Sequence, residues 1–121
     1  MNASGAAGSA RLPRACRIRR RGEFLELQRG GRRQTTPHFV VLTRNRPAPP
    51  PRLGITTSRK VGSAPQRNRV RRLVREFFRR NRSLIGNLDV VVIAKPTAAE
   101  VTFANVDHEL GSILATPGPR S

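Results

Sequence analysis

Apolar residues in this chain fall into short blocks separated by basic and proline-rich stretches. Glu23-Phe24-Leu25-Glu26-Leu27-Gln28 follows a run of arginines and closes on Gly30-Gly31, which predicts a short helix with a glycine stop. His38-Phe39-Val40-Val41-Leu42-Thr43 is β-branched and apolar and predicts a strand. Pro47 and Pro49-Pro50-Pro51 cannot donate to a sheet ladder and predict a loop. Leu53-Gly54-Ile55-Thr56-Thr57 alternates apolar with small or polar residues, a second strand that can pair with the first as a hairpin across the prolines.

The clearest element comes next. Ser63 can cap a helix, with Gln66 at the partner position of a capping box and Pro65 tolerated in the first turn. Val70, Leu73, Val74, Phe77 and Phe78 then recur at i, i+3, i+4, i+7 and i+8, one apolar stripe on a helix ending before Gly86. Asp89-Val90-Val91-Val92-Ile93-Ala94 is nearly continuous and reads as a strand buried on both faces, broken by Lys95-Pro96. Thr102 caps a last helix with Phe103, Val106, Leu110, Ile113 and Leu114 on one side, and Pro117 and Pro119 end it. The order α-β-β-α-β-α, with room for one or two further short strands, predicts an α+β sandwich. At 121 residues the chain suits one domain.

Charge changes the picture from fold to partner. There are 24 Lys+Arg against 7 Asp+Glu, a formal net charge of +17. Residues 11–82 hold 22 of the basic groups and only Glu23, Glu26 and Glu76, whereas residues 83–121 are net acidic. A partition of this kind draws in a polyanion, and nucleic acid is preferred over anionic lipid or an acidic protein. Arginine outnumbers lysine 22 to 2. That bias suits phosphate forks and base stacking, and a GC-rich genome explains it equally well.

The central helix concentrates the charge. Asn68, Arg72, Arg75 and Arg79 fall opposite Val70 and Phe77, Arg71 and Arg82 widen the stripe, and Arg69 and Arg80 flank it. Only Glu76 offers an intrahelical partner, so like charges repel unless an external polyanion relieves them. A solvated face normally mixes signs, and a membrane-lying helix would withhold the apolar stripe that the strands need. Arg59, Lys60 and Arg67 flank the start of this helix, where backbone N–H groups make a candidate anion site. The spacing is not that of a Walker loop.

Candidate chemistry is sparse. Cys16 is alone, which excludes a disulfide framework within the chain and fits a reducing cytoplasm. No apolar run approaches the ~20 residues of a membrane span, and the opening residues lack the charged and apolar regions of an export signal. His38 and His108, the only histidines, share no spacing, and Asp89 and the scattered glutamates form no evident metal cluster. No catalytic residue and no protein-bound metal are expected.

The run Gly54 to Phe78, GITTSRKVGSAPQRNRVRRLVREFF, resembles the signature of the bacterial ribonuclease P protein. Its marks are the Arg67-Asn68-Arg69 triplet opening a basic amphipathic helix and the Lys60-Val61-Gly62 turn before it. The resemblance spans about residues 12–115, leaving 1–11 as a disordered tail and 116–121 as a flexible one. It implies a ribosomal S5 domain-2-like sandwich of helices on a mostly antiparallel sheet, with a left-handed βαβ crossover. It implies that Arg59, Lys60, Arg67, Asn68, Arg69, Arg71, Arg72, Arg75 and Arg79 meet the catalytic RNA of ribonuclease P, in a 1:1 partnership. A cleft between the first helix and the sheet, with Phe24, Gln28 and Phe39, would hold the 5′ leader of precursor tRNA. Gln28 departs from the family, which often has a second aromatic there, and offers hydrogen bonds but little stacking. The implied chemistry is hydrolysis of a phosphodiester, with Mg2+ held mainly by RNA and substrate. A structural RNA-binding protein of the same fold is the alternative, set apart by the Lys60-Val61-Gly62 turn. An independent nuclease lacks a catalytic constellation.

Overall fold

The computed structural model describes residues 12–48 and 50–114; the expected tails lie outside them. After a 3-10 turn at Arg14–Cys16 come α1 (Arg21–Gly30), β1 (Arg32–Thr35), β2 (Phe39–Asn45) and β3 (Arg52–Thr56). A second 3-10 turn at Arg59–Val61 leads into α2 (Ala64–Arg80), followed by the single turn α3 (Arg82–Ile85) and β4 (Leu88–Ala94). A third turn, Pro96–Glu100, precedes α4 (Phe103–Leu114).

The sheet runs β1-β2-β4-β3, antiparallel except for the parallel β3–β4 pair. The hairpin expected between β2 and β3 does not form. β4 lies between them, because the most continuously apolar strand takes the place where both edges are paired and both faces covered. Val90, Val91 and Val92 are accordingly buried on alternate faces. Thus β3, α2 and β4 form a parallel βαβ unit. β1 was not legible: Arg-Arg-Gln-Thr carries no apolar alternation, and it exists as a polar edge strand laddered to β2.

Two apolar layers sandwich the sheet. Phe39, Val41, Leu53, Val90 and Val92 face Val70, Val74, Phe77 and Phe78 of α2 and Val106, Leu110 and Leu114 of α4. On the other face Val40, Leu42 and Val91 pack against Leu27 of α1 and Ile18, with Phe24 and Ile93 at the margin. The α+β sandwich expected from the sequence is therefore observed, as a single unit.

The caps follow the sequence. Ser63 N–H donates to Gln66 Oε1 (2.8 Å) and Gln66 N–H to Ser63 Oγ (3.4 Å), closing the capping box. Asn105 N–H donates to Thr102 Oγ1 (3.1 Å) and Thr102 N–H to Asn105 Oδ1 (3.0 Å), starting α4. The central helix is shorter than expected, because the Asn81 amide donates to the Phe77 carbonyl (2.8 Å) and ends it there.

Candidate RNA interface

The surface begins at the turn before α2. Gly62 has φ 151°, and a Cβ there would collide with Gln66 Oε1, the acceptor of the capping box. The Lys60-Val61-Gly62 turn is thus built around that cap: Val61 is buried, while Arg59 and Lys60 are exposed. The anion site expected at the helix N-terminus is largely filled by the protein itself. Gln66 N–H goes to Ser63 Oγ, Arg67 N–H goes to Ser63 O, and Pro65 has none. What remains there is side-chain charge, from Arg59, Lys60 and Arg67.

Beyond Arg67, which is half-buried, the polar side chains of α2 separate into three groups. Asn68, Arg69 and Arg72 are exposed. Arg71 and Arg75 are half-buried and turn toward the N-terminal segment, where they help to wall a cavity of about 500 Å³. Arg79 and Arg80 share one internal counterion: Arg79 donates to Glu76 through Nε (3.1 Å) and Nη2 (2.6 Å), and Arg80 Nε to Glu76 Oε2 (2.7 Å). Arg80 also lies 4.8 Å from the centre of the Phe103 ring. The Arg79 hydrogen bond, with that of Arg80, holds the Glu76 carboxyl below its ordinary range against burial. Arg79, placed by the sequence among the RNA contacts, already has an internal partner. By contrast, Arg67, Arg69, Arg71, Arg72 and Arg75 make no ion pair among the described residues.

Phe24 is half-buried, with its ring over Gly54 of β3. A Cβ at residue 54 would stand 2.7 Å from Phe24 Cζ, so only glycine lets the ring lie there. One helical turn on, Gln28 is exposed and shares a groove of about 430 Å³ with Phe24, Arg19, Arg21, Leu25 and Thr56. Phe24 and Arg19 also line the 500 Å³ cavity, which continues past Gly54 to Arg17, Arg71 and Arg75.

Phe39 is a correction. It is 0% exposed and packs on the α2 side of the sheet, away from Phe24, so its ring is a core residue with no face for a base. Strand alternation sends Val40 and Leu42, not Phe39 and Val41, to the α1 side.

The sequence also concealed what holds α1 in place. Asp89, 2% exposed, accepts Arg52 Nε at Oδ1 (2.8 Å) and Arg52 Nη2 at Oδ2 (3.0 Å). Arg46 (3.3 Å) and Arg44 (3.4 Å) donate to the same carboxylate. Arg52 Nη1 reaches on to Glu23 Oε2 of α1 (2.8 Å), and Arg44 to Glu26 (3.4 Å). Burial alone would raise the Asp89 carboxyl, but the Arg52 fork, with Arg46 and Arg44, outweighs it and holds the group low. Glu23 is held low chiefly by its bond from Arg52. The available signal was the scarcity of acids: in so basic a chain, an aspartate heading an apolar strand needs a structural reason.

His38 and His108 do not meet. His38 Nδ1 pairs with Glu109 Oε2 (2.5 Å), and Thr36 Oγ1 donates to Glu109 Oε1 (2.6 Å), which ties the β1–β2 turn to α4. Lys95 Nζ donates to the Thr36 carbonyl (2.6 Å) in the same knot. Among the described residues no group of three His, Cys, Asp or Glu side chains is placed to hold a metal ion. Nor is any helix long and apolar enough to cross a membrane.

A half-covered sheet face with a ring and a cationic wall, beside a basic helix whose first three turns carry no carboxylate, defines an α+β domain with a surface suited to a polyanion. The family model for ribonuclease P matches residues 12–117. The ribonuclease P protein component of Syntrophus aciditrophicus is 39% identical over 111 residues, covering 91% of this chain and 92% of the relative. That of Desulfovibrio desulfuricans is 46% identical over 108 residues, covering 85% and 83%. Among solved structures, the RNase P protein of Staphylococcus aureus superposes with a TM-score of 0.76 at 33% identity, covering 84% of this chain and 94% of its own. The RNase P protein of Thermotoga maritima gives 0.74 at 37%, covering 84% and 98%. This chain belongs to the ribonuclease P protein family.

Proposed function

We propose that this protein is the RNA-binding subunit of a ribonuclease P that removes 5′ leaders from precursor tRNA, and that the paired RNA carries the chemistry. The exposed part of α2, with Asn68, Arg69 and Arg72 beside Arg59, Lys60 and Arg67, docks on the catalytic RNA, one protein to one RNA. The groove of Phe24 and Gln28 takes the leader. The observation that carries this reading is the half-exposed Phe24 ring lying on Gly54, in a groove edged by arginine. Aromatic faces combined with cationic grooves are the usual means of holding unpaired nucleic acid. Magnesium, in this reading, sits at the junction of catalytic RNA and substrate, where phosphate oxygens provide the hard ligands it prefers. The protein's part is to neutralise phosphates and position the leader. The setting is the cytoplasm.

The test is cleavage of a precursor tRNA by the protein alone, by the matching RNA alone, and by both at low magnesium. Correct 5′ ends are expected only from the combination. Specific maturation by protein freed of all RNA refutes the proposal.

A further inference from the structure

We propose that Lys60 is an acylation site, where an acyl phosphate removes one positive charge from the surface that docks on the catalytic RNA. Its consequence for RNA binding rests on the docking reading above; its chemistry does not. The chain holds 22 arginines and two lysines, Lys60 and Lys95. A guanidinium keeps its proton and presents no nucleophilic lone pair, whereas a lysine amine that has shed its proton does. Acyl transfer can therefore reach the basic side chains at two places, and the fold treats them oppositely.

Lys95 is half-buried and occupied: its Nζ donates to the Thr36 carbonyl (2.6 Å), within the knot that joins the β1–β2 turn to α4. Lys60 is exposed, and its Nζ makes no hydrogen bond or ion pair among the described residues. The turn that carries it is nevertheless fixed. Lys60 N–H donates to Ser58 Oγ (3.3 Å), Val61 N–H to the Ser58 carbonyl (3.0 Å) and Gly62 N–H to the Arg59 carbonyl (3.2 Å). The Val61 side chain is buried beneath. A held backbone thus presents a free amine beside Arg59 and the start of α2, where Arg67 and Arg69 follow with no carboxylate between. Glu100, on the 3-10 turn packed against this one, makes no ion pair among the described residues.

That setting selects the donor. An acyl phosphate is an anion, and a cationic surface raises its local concentration. The Lys60 Nζ lone pair attacks the acyl carbon and forms the C–N bond. The C–O bond to phosphate breaks, inorganic phosphate leaves with that electron pair, and the surplus amine proton passes to water. The product is a neutral amide, so one cation is lost from the turn before Arg67-Asn68-Arg69. An arginine at the same place would meet a phosphate but could not be switched in this way. RNA seated on the turn covers the amine, so acylation acts on the protein before assembly.

The experiment treats the full chain with acetyl phosphate and follows each lysine by peptide mass mapping. Lys95 has a charged hydrogen bond to give up first, so Lys60 should react about tenfold faster. Added salt should slow the reaction at Lys60, and a neutral acylating reagent should narrow its lead over Lys95. Bound catalytic RNA should protect Lys60. Acetylated protein should bind that RNA more weakly, with the slope of log affinity against log salt shallower by about 0.9, one phosphate contact. Lys60→Arg should make RNA affinity indifferent to acetyl phosphate, whatever its starting value, and Lys60→Gln should reproduce the shallower slope. Reaction at Lys95 as fast as at Lys60, or acetylation of Lys60 that leaves affinity and slope unchanged, would overturn the proposal. If the untreated protein does not bind the catalytic RNA, the docking reading itself fails, and the switch with it, whichever lysine reacts.

Discussion

Arg52→Gln tests how the α1 groove is held. The substitution keeps much of the side-chain length but removes the fork that gives Asp89 its bonds of 2.8 and 3.0 Å and Glu23 its bond of 2.8 Å. Asp89 is left buried, with only Arg46 and Arg44 at 3.3 and 3.4 Å. Breaking a buried pair costs ~3–5 kcal/mol. Because the Arg52 and Glu23 side chains are 21% and 27% exposed, a loss of ~2–3 kcal/mol is the better expectation here. In a domain of this size that lowers the melting temperature by on the order of 10–20 °C. Both carboxyls titrate lower in the folded chain than unfolded, so their contribution is present above the unfolded values of ~4 and disappears as pH falls through the folded ones. Urea or thermal unfolding of wild type and variant should therefore show a gap that is full at neutral pH and narrows in acid. An unchanged midpoint at neutral pH, or a gap indifferent to acid, would refute the view that this cluster clamps α1.

Phe24→Ala should weaken binding of precursor tRNA more than mature tRNA in the assembled enzyme, by ~1–2 kcal/mol, the lower part of the stacking range because Gln28 adds little stacking. Equal loss for both tRNAs, with ~3–5 kcal/mol of lost stability, would make Phe24 a core residue only. Gly54→Ala should reproduce the leader defect by displacing the ring and cost ~1–3 kcal/mol of stability, with Phe24→Leu in the same chain restoring part of the melting temperature. Arg69→Glu with Arg72→Glu should weaken binding to the catalytic RNA while circular dichroism stays near wild type and the melting temperature does not fall, since both positions are exposed. Wild-type binding to that RNA should fall steeply with salt as counterions are released, and a flat response would argue against a phosphate-dominated contact.

Much of the fold was legible because its signals are local. The capping box at Ser63 and Gln66, the stripe from Val70 to Phe78 and the apolar run Val90–Ala94 each depend on a few adjacent residues, and each was found where expected. Strand order was not local. Pairing β2 with β3 is the shortest closure, yet inserting β4 between them buries Val90, Val91 and Val92 on both faces, a gain that no window of the sequence displays. β1 was hidden for the opposite reason, since its place comes from the backbone of β2 and not from its own side chains.

The site was legible in its charge and obscure in its geometry. Residues 39–42 are all apolar, so nothing in the sequence fixes which alternate pair faces α1; the fold sends Phe39 inward and leaves Phe24 as the accessible ring. The same applies to the arginines, whose number is plain from the sequence but whose partners are not. Glu23, Glu26 and Asp89 engage Arg44, Arg46 and Arg52, and Glu76 engages Arg79 and Arg80. These four acids thus sit where α1 must be anchored to the sheet and where α2 ends, and the first three turns of α2 are left without a counterion among the described residues. Supplying one there, for instance by Arg72→Glu, should relieve repulsion within the free protein and remove a cation from the proposed RNA contact. Stability of the isolated protein and affinity for RNA should therefore be opposed along that stretch of α2 and aligned at Arg52, and finding that opposition would distinguish a binding surface from a merely solvated one.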